Sequence, residues 1–209
     1  MDRRQEWIDA AWRGDANAFG NLVQSYQTPV YNLTYRMLGN APDAEDAAQE
    51  AFVRAYTKLD SYDPMRSFSS WLLAIAAHYC IDRLRRRRWV WFSLQDKDLP
   101  SDILASPEIS PEGCAVNHEM EARVQTMLDS LRPDYRAALV LRYWYDLSYE
   151  EIAKMTGSTV SAVKSRLFRA RRVLAKELQP AAPNTNARLQ KQVKRDKLRL
   201  AGRSAVQPV

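Results

Sequence analysis

The sequence predicts an all-α protein built from two small helical domains. Apolar residues recur at intervals of three and four over several long stretches, which is the period of a helix that buries one face. Helix start and stop signals bound these stretches, and only 6 of the 209 residues are glycine while 46% are hydrophobic. A chain of this length can form one or two domains with their own cores. We expect the domains at residues 1–92 and 118–178.

Residues 1–92 contain three predicted helices. The first runs from about Asp15 to Leu38, with Pro29 as a kink and Gly39 as its stop. The second begins near Pro42, since proline is favoured at the first position of a helix. Its inward face is predicted to carry Ala44, Ala48, Ala51, Phe52, Ala55 and Leu59.

The third predicted helix combines aromatic residues with a basic end. It starts in the segment SFSSWLLAIAAHYCIDRLRRRRW, with Ser67 or Ser69 as its cap. Its aromatic residues are Phe68, Trp71 and Tyr79, and its terminal arginines are Arg83 and residues 85–88. Aromatic rings stack on unpaired bases and arginines hold phosphates, so this mixture suits single-stranded DNA. A core helix with a charged end explains the same residues.

An acidic helix face is predicted in the segment DAEDAAQEAF. Its members lie opposite the alanines, because steps of three and four keep side chains on one side of a helix. They are Asp43, Asp46, Gln49 and Glu50. Taken alone, this face is explained by carboxylates that are favourable near a helix N-terminus.

Residues 93–117 are predicted to form an extended linker. The segment holds three prolines and lacks a long apolar period. Its charge is opposite to that of the preceding arginine run, because Lys97 is its one basic residue. The acidic residues are Asp96, Asp98, Asp102, Glu108 and Glu112.

Residues 118–178 end in a predicted helix-turn-helix, after a helix that Pro133 opens. The segment SYEEIAKMTGSTVSAVKSRLFRARR begins with a capping box formed by Ser148 and Glu151, and Gly157 supplies the left-handed turn between two helices. A tight turn followed by a basic helix is the geometry that enters the DNA major groove. A helical hairpin with a solvated basic face is the alternative. The basic residues are Lys164, Arg166, Arg169, Arg171 and Arg172.

Residues 179–209 are predicted to be a basic tail that is disordered until bound. From Pro180 to Val209, seven lysines and arginines stand against one acid, so this segment alone carries a net charge of +6, which is that of the whole chain. The tail is hypothesised to add nonspecific phosphate contacts, with an inert end as the alternative.

Composition excludes several function classes. The chain has no run of 18 apolar residues and no N-terminal signal pattern, so we expect a cytoplasmic protein. Two cysteines are too few for a disulfide framework. A zinc site would need His78, Cys80, Cys114 and His118, which lie in different segments, so we expect no metal. The sequence contains no Walker loop and no nucleophile–base arrangement, so we expect that the protein binds no cofactor and is not an enzyme.

The order of these parts resembles that of the extracytoplasmic-function sigma factors, compact members of the sigma-70 family of bacterial RNA polymerase specificity subunits. The resemblance covers about residues 6–178 and rests on four blocks in sequence. These are GDANAFGNLVQSYQTPVY, DAEDAAQEAFVRAY, SFSSWLLAIAAHYCIDRLRRRR and LRPDYRAALVLRYWYDLSYEEIAKMTGSTVSAVKSRLFRARRVL. Each block is moderately specific, whereas all four in this order, separated by an acidic linker, make a specific match.

The resemblance assigns roles to the predicted surfaces. Residues 1–92 would be sigma region 2, which binds core polymerase and the minus-ten element, and residues 118–178 would be sigma region 4. The implied core-binding residues are Asp43, Asp46, Gln49 and Glu50. The implied minus-ten contacts are Arg66, Phe68, Trp71, His78, Arg83, Arg85 and Arg86. The implied minus-thirty-five contacts are Ser161, Lys164, Ser165, Arg166 and Arg169.

One departure concerns His78, where many members of the family carry asparagine, so the minus-ten base preference is not carried over.

The implied partners are the beta and beta-prime subunits of core RNA polymerase, promoter DNA and an anti-sigma factor. The acidic linker would thread toward the polymerase active site along the RNA path. A helix-turn-helix regulator that binds DNA without entering the polymerase is the alternative, but it leaves the acidic face and the linker unexplained.

Overall fold

The computed structural model describes residues 3–95 and 115–178, and every regular element within these ranges is helical. The first group of helices is α1 (Arg3–Trp12), α2 (Ala16–Leu38), α3 (Ala41–Thr57), a 3₁₀ turn (Leu59–Ser61) and α4 (Phe68–Gln95). The second group is α5 (Ala115–Asp129), α6 (Pro133–Trp144), α7 (Tyr149–Met155) and α8 (Val160–Leu178). The all-α prediction is confirmed, while the predicted tail and most of the predicted linker lie outside the described residues.

Local signals set the ends of α2 as predicted. Asp15 caps its start by accepting hydrogen bonds from two amides of the first turn. Gly39 closes it with φ at +82°, and the Gly39 amide donates to the carbonyl of Tyr35 at 2.8 Å. The helix continues through Pro29 as one element. The turn into α3 is therefore fixed by residues that adjoin it in the sequence.

Helices α2 and α3 pack closely because α3 buries alanines along one face. Small side chains let two helix backbones approach, and Ala44, Ala47, Ala51 and Ala55 are fully buried. Thr34 lies in this contact, where its hydroxyl bonds to the carbonyl of Tyr31 at 2.9 Å and to that of Ala44 at 2.8 Å. One carbonyl of α2 and one of α3 thereby satisfy the buried hydroxyl of Thr34.

Two features of the helices differ from the sequence interpretation. Helix α1 was not predicted, because its ten residues are too few to show a repeated helical period, yet it packs on α2 and buries Ile8 and Ala11. Helix α4 continues to Gln95 and α5 begins at Ala115, so each extends three residues into the predicted linker at 93–117. Terminal turns of this kind carry no strong sequence signal.

The second group of helices packs against the first. Helix α6 contacts both α2 and α4, α5 contacts α2, and α7 contacts α4. These contacts lie within one compact unit that ends at Val173. In the part of the chain that the structure describes, no helix combines the length and the apolar character needed to cross a membrane.

Candidate protein and nucleic-acid interfaces

Three of the predicted core-binding residues lie together on α3. Asp46, Gln49 and Glu50 are separated by three and one positions and share the side of α3 that faces away from the buried alanines. The Asp46 side chain is 69% exposed, and Glu50 forms an ion pair of 2.7 Å with Arg54. We call these three residues the acidic face, and it is open to a partner.

Asp43, the fourth predicted core-binding residue, stands apart from the acidic face. Its side chain is only 14% exposed and accepts hydrogen bonds from Arg83 and Arg87 of α4 and, at 2.7 Å, from Asn40. Burial alone would raise the pKa of Asp43, but the hydrogen bonds from Asn40 and Arg87 and the charges of Arg87 and Arg83 hold it below its ordinary value. Asp43 thus ties α3 to α4.

Asp43→Asn is expected to lower the free energy of unfolding at pH 7 by about 1 to 3 kcal/mol, because Arg83 and Arg87 lose their shared carboxylate. The folded-state pKa of Asp43 is depressed, so its contribution is complete above the ordinary value of 3.8 and is lost as the pH falls through the folded value. The two proteins should therefore converge in acid. Urea denaturation at a series of pH values measures this difference.

Asp46→Asn is the matched control, because Asp46 is exposed and its nearest cation, Arg83, is 3.9 Å away. We expect this control to change stability by less than about 0.5 kcal/mol. Equal losses for the two variants, or a loss for Asp43→Asn that does not depend on pH, would contradict the role of Asp43 as a tie.

The aromatic start of α4 is a core cluster, which corrects the prediction for Phe68. Phe68 is only 4% exposed, and its ring lies 5.5 Å from Tyr26, 5.4 Å from Tyr62 and 5.5 Å from Trp71. A ring enclosed by three others has no free face for a base. Trp71 is half-buried.

The other predicted minus-ten residues divide into accessible and engaged side chains. Arg66, His78 and Arg86 are exposed, and Arg66 sits on a loop that Tyr62 fixes by donating to the Arg66 carbonyl at 2.6 Å. Arg83 is engaged by Asp43, as described above. Arg85 pairs with Asp134 of α6 at 2.7 Å. Pairing does not close every side chain, because Arg66 stays 67% exposed beside Asp63 at 3.3 Å and Arg85 stays 57% exposed. Arg66, His78, Arg85 and Arg86 are therefore accessible, whereas Arg83 is largely covered.

The predicted helix-turn-helix is present in α7 and α8. The Ser148 hydroxyl accepts from the Glu151 amide at 3.2 Å, and Glu151 accepts from the Ser148 amide at 2.8 Å, so the capping box is confirmed. The hydrogen bond from the Ser148 amide is the main cause that lowers the pKa of Glu151. Gly157 has φ at +57°, and Thr159 caps α8 through the Ala162 amide. Buried on the inner side of α8 are Val163, Leu167 and Ala170.

The predicted minus-thirty-five residues lie on the outer side of α8 and differ in their exposure and hydrogen bonding. Ser161, Lys164, Ser165 and Arg169 are exposed, while Arg166 is half-buried. Arg166 donates to the hydroxyl of Ser158 at 3.1 Å, and Arg169 donates to the hydroxyl of Tyr135 at 3.2 Å. These hydrogen bonds restrict the orientations of the two arginine side chains. We call Lys164, Arg166 and Arg169 the basic face.

Two exposed apolar residues beside these surfaces were not predicted from the sequence as site residues. Val53 is 57% exposed and follows Asp46 by seven positions and Glu50 by three, so it extends the acidic face. Phe168 is 60% exposed and directly precedes Arg169 on α8. Helical spacing from the charged residues could have found both. Exposed apolar side chains next to charged residues are a common feature of binding surfaces.

Among the described residues, no group of three histidine, cysteine or acidic side chains lies close enough together to hold a metal ion. Cys80 is buried, and burial raises the pKa of its thiol to about 12. A thiol in that state is protonated at neutral pH and is a poor metal ligand. The side chains of Cys114 and His118, which the zinc alternative requires, lie outside the described residues.

Comparison with known proteins identifies both helical groups. A family profile described as Sigma-70 region 2 matches residues 22–90, and one described as Sigma-70, region 4 matches residues 121–174. The ECF RNA polymerase sigma factor SigW of Bacillus subtilis strain 168 is 38% identical over 172 residues, which cover 79% of this chain and 91% of that protein. The ECF RNA polymerase sigma-E factor of Escherichia coli strain K12 is 35% identical over 181 residues, 84% of this chain and 94% of that protein.

Solved structures share the fold. The structure of CnrH in complex with the cytosolic domain of CnrY is 27% identical, with a TM-score of 0.61, and the match covers 87% of this chain and 100% of that one. The sigma factor RpoE of Bartonella quintana, solved with the anti-sigma factor NepR, is 22% identical at the same TM-score over 78% of this chain and 98% of that one, and shows the likeness of fold. With both regions in this order, the chain belongs to the extracytoplasmic-function sigma factors of the sigma-70 family, the subunits that bind core RNA polymerase and promoter DNA and direct transcription initiation.

Proposed function

We propose that this sigma factor divides its task among three surfaces. The acidic face of α3 binds the clamp of the largest core subunit, the basic face of α8 reads the minus-thirty-five element, and the outer side of α4 with the Arg66 loop holds the melted minus-ten strand. The observation that carries this division is the opposite charge of two exposed helix faces. Surfaces of opposite charge select partners of opposite charge.

The proposed minus-ten surface suits a strand that is already displaced. Opening a duplex costs a few kcal/mol for each unstacked base, and stacking on aromatic rings together with phosphate contacts offsets that cost. Arg66 and Arg86 are exposed cations, His78 is exposed between them along the chain, and Trp71 is partly exposed. The chemistry of transcription then belongs to the polymerase, and this chain has no catalytic role of its own.

Arg86→Ala should weaken the binding of holoenzyme to a single-stranded minus-ten oligonucleotide by about fivefold, because a charge-assisted contact to phosphate is lost. The plot of log affinity against log salt should flatten by about 0.7, the value for one phosphate contact on a single strand. Arg13→Ala is the matched control, since Arg13 is an exposed arginine outside α4. Identical salt slopes for the two variants would remove Arg86 from the DNA surface.

The alternative of a helix-turn-helix regulator accounts for α7 and α8 but leaves the acidic face without a partner, and the family comparison does not favour it. Membership of the family also supports two further proposals. The chain acts in the cytoplasm, where core polymerase and DNA are found, and an anti-sigma factor restrains it. Co-purification with core polymerase from cells separates the sigma factor from a free regulator.

A further inference from the structure

Two arginines of region 4 meet at a tyrosine between α6 and α8. Nη1 of Arg169, on α8, donates to the hydroxyl of Tyr135, on α6, at 3.2 Å. The guanidinium carbon of Arg132, which directly precedes α6, lies 5.4 Å from the centroid of the Tyr135 ring. Both arginines are exposed, and Tyr135 is half-buried. We call Arg132, Tyr135 and Arg169 the arginine–tyrosine cluster.

The positive charge of this cluster is not balanced locally. Among the ion pairs of the described residues, none involves Arg132 or Arg169, and the neighbouring carboxylate of Asp134 pairs with Arg85 at 2.7 Å. From Val160 to Lys176, α8 carries six lysines and arginines, Arg169 included, and no acidic residue. Two cations held against one ring repel each other, and an anion that binds to both removes this repulsion. The cluster therefore favours an anionic ligand.

The Tyr135 hydroxyl supplies a further donor for such an anion. It accepts from Arg169, and no hydrogen bond among the described residues gives its own proton an acceptor. The hydrogen bond from Arg169 is the main cause that lowers the pKa of Tyr135, and the charges of Arg169 and Arg132 add to it, although burial opposes it. A hydroxyl polarised in this way donates a stronger hydrogen bond. Each guanidinium also keeps N–H donors, since an arginine carries five.

A phosphate of the DNA backbone fits this set of donors. Arginine binds phosphate through paired N–H groups, and tyrosine hydroxyls are among the donors that proteins use toward phosphate oxygens. The cluster shares Arg169 with the basic face, so a phosphate bound there would belong to the DNA that α8 reads. Contacts of this kind fix the position of a protein on the duplex without reading its bases.

We propose that the arginine–tyrosine cluster holds one backbone phosphate beside the minus-thirty-five element, with Arg132 as an additional DNA contact and Tyr135 as the residue that positions Arg169. This inference rests on the proposed reading of that element by the basic face. It extends the DNA surface of region 4 from α8 to the start of α6. Arg132 then contributes affinity on every sequence, whereas Tyr135 acts partly through Arg169.

Methylphosphonate substitution tests the site directly, because it removes the negative charge of one chosen backbone phosphate. The affinity of holoenzyme is measured on promoter fragments with one such substitution at each position in and beside the minus-thirty-five element. Arg132→Ala should weaken binding to the unmodified fragment by about fivefold and flatten the plot of log affinity against log salt by about 0.9, the value for one phosphate on duplex DNA. At one phosphate, neutralisation should weaken wild-type binding and remove the difference between the wild type and Arg132→Ala.

Arg123→Ala is the matched control, since Arg123 is an exposed arginine of α5, and it should bind every fragment like the wild type. The Arg132 side chain makes no capping hydrogen bond, so its removal leaves the start of α6 intact. A loss for Arg132→Ala that persists on every fragment, or an unchanged salt slope, would overturn the phosphate contact. Weaker binding of Arg132→Ala to core polymerase without DNA would assign the cluster to an acidic protein surface and would also overturn the proposal.

Tyr135→Phe removes the hydroxyl, keeps the ring and changes no charge, so it should weaken promoter binding by about 2- to 10-fold at an unchanged salt slope. The effect should shrink in an Arg169→Ala background, because part of it acts through Arg169. Equal effects in both backgrounds would overturn the positioning role. If scrambling the minus-thirty-five element leaves wild-type affinity unchanged, the proposed function of the basic face is wrong, whereas the methylphosphonate comparison still decides the phosphate contact.

Discussion

Asp46→Arg combined with Glu50→Arg should reduce the affinity for core RNA polymerase by about 100-fold or more, while the circular dichroism spectrum stays unchanged. Both side chains lie on the acidic face, and Asp46 is largely exposed. Reversing two charges in a complementary interface places like charges together, which costs several kcal/mol. The cost to the fold is small, because the two changes break only the pair of Glu50 with Arg54 on the same helix and the 3.9 Å pair of the exposed Asp46 with Arg83. A binding titration with purified core measures the loss.

Glu45→Arg provides the matched control for this charge reversal. Glu45 is exposed on α3, but it lies toward Tyr31, whose pKa it helps to raise, and so outside the acidic face. We expect this variant to bind core within about threefold of the wild type, a change of less than about 1 kcal/mol. If the double variant binds as tightly as the control, the acidic face is not the polymerase contact.

Val53→Ala should weaken binding to core polymerase through lost apolar contact, without any change in charge.

Lys164→Ala and Arg166→Ala should each lower transcription from a promoter with an intact minus-thirty-five element, by about 5- to 100-fold where the side chain contacts a base edge. A contact from arginine or lysine to a base edge contributes about 1 to 3 kcal/mol of discrimination. Lys164 is exposed on α8, and the bond to Ser158 holds Arg166 in place. At least one variant should also reduce the penalty for mutating the upstream element. Transcription in vitro on matched templates provides this measurement.

Lys58→Ala is the control, since Lys58 is an exposed lysine that precedes the 3₁₀ turn in region 2, away from α8. It should leave the ranking of upstream-element variants unchanged. A base-edge contact relaxes specificity at one position, whereas a phosphate contact weakens all sequences alike and lowers the salt slope. Uniform effects of both α8 substitutions on every template would mean that this helix only holds phosphates.

The sequence by itself determined the helical elements and the helix-turn-helix. Gly39, the Ser148–Glu151 capping box and Gly157 act on backbone groups within a few residues of themselves, so their effect can be predicted without knowledge of the rest of the chain. The buried stripe of α8 follows from helical spacing in the same way. The acidic face of α3 was likewise predictable at Asp46, Gln49 and Glu50, because their spacing fixes their common side.

Only the tertiary structure decided which charged and aromatic side chains are available to a partner. Asp43 is paired with an arginine 40 positions away, Phe68 is enclosed by rings from other segments, and Arg136 bonds to a carbonyl 99 positions away. Helical periodicity describes the sides of one helix and contains no information about which distant helix covers them. Burial and pairing arise from contacts between segments far apart in the chain, and these contacts place Asp43, Phe68 and Arg136 between packed helices.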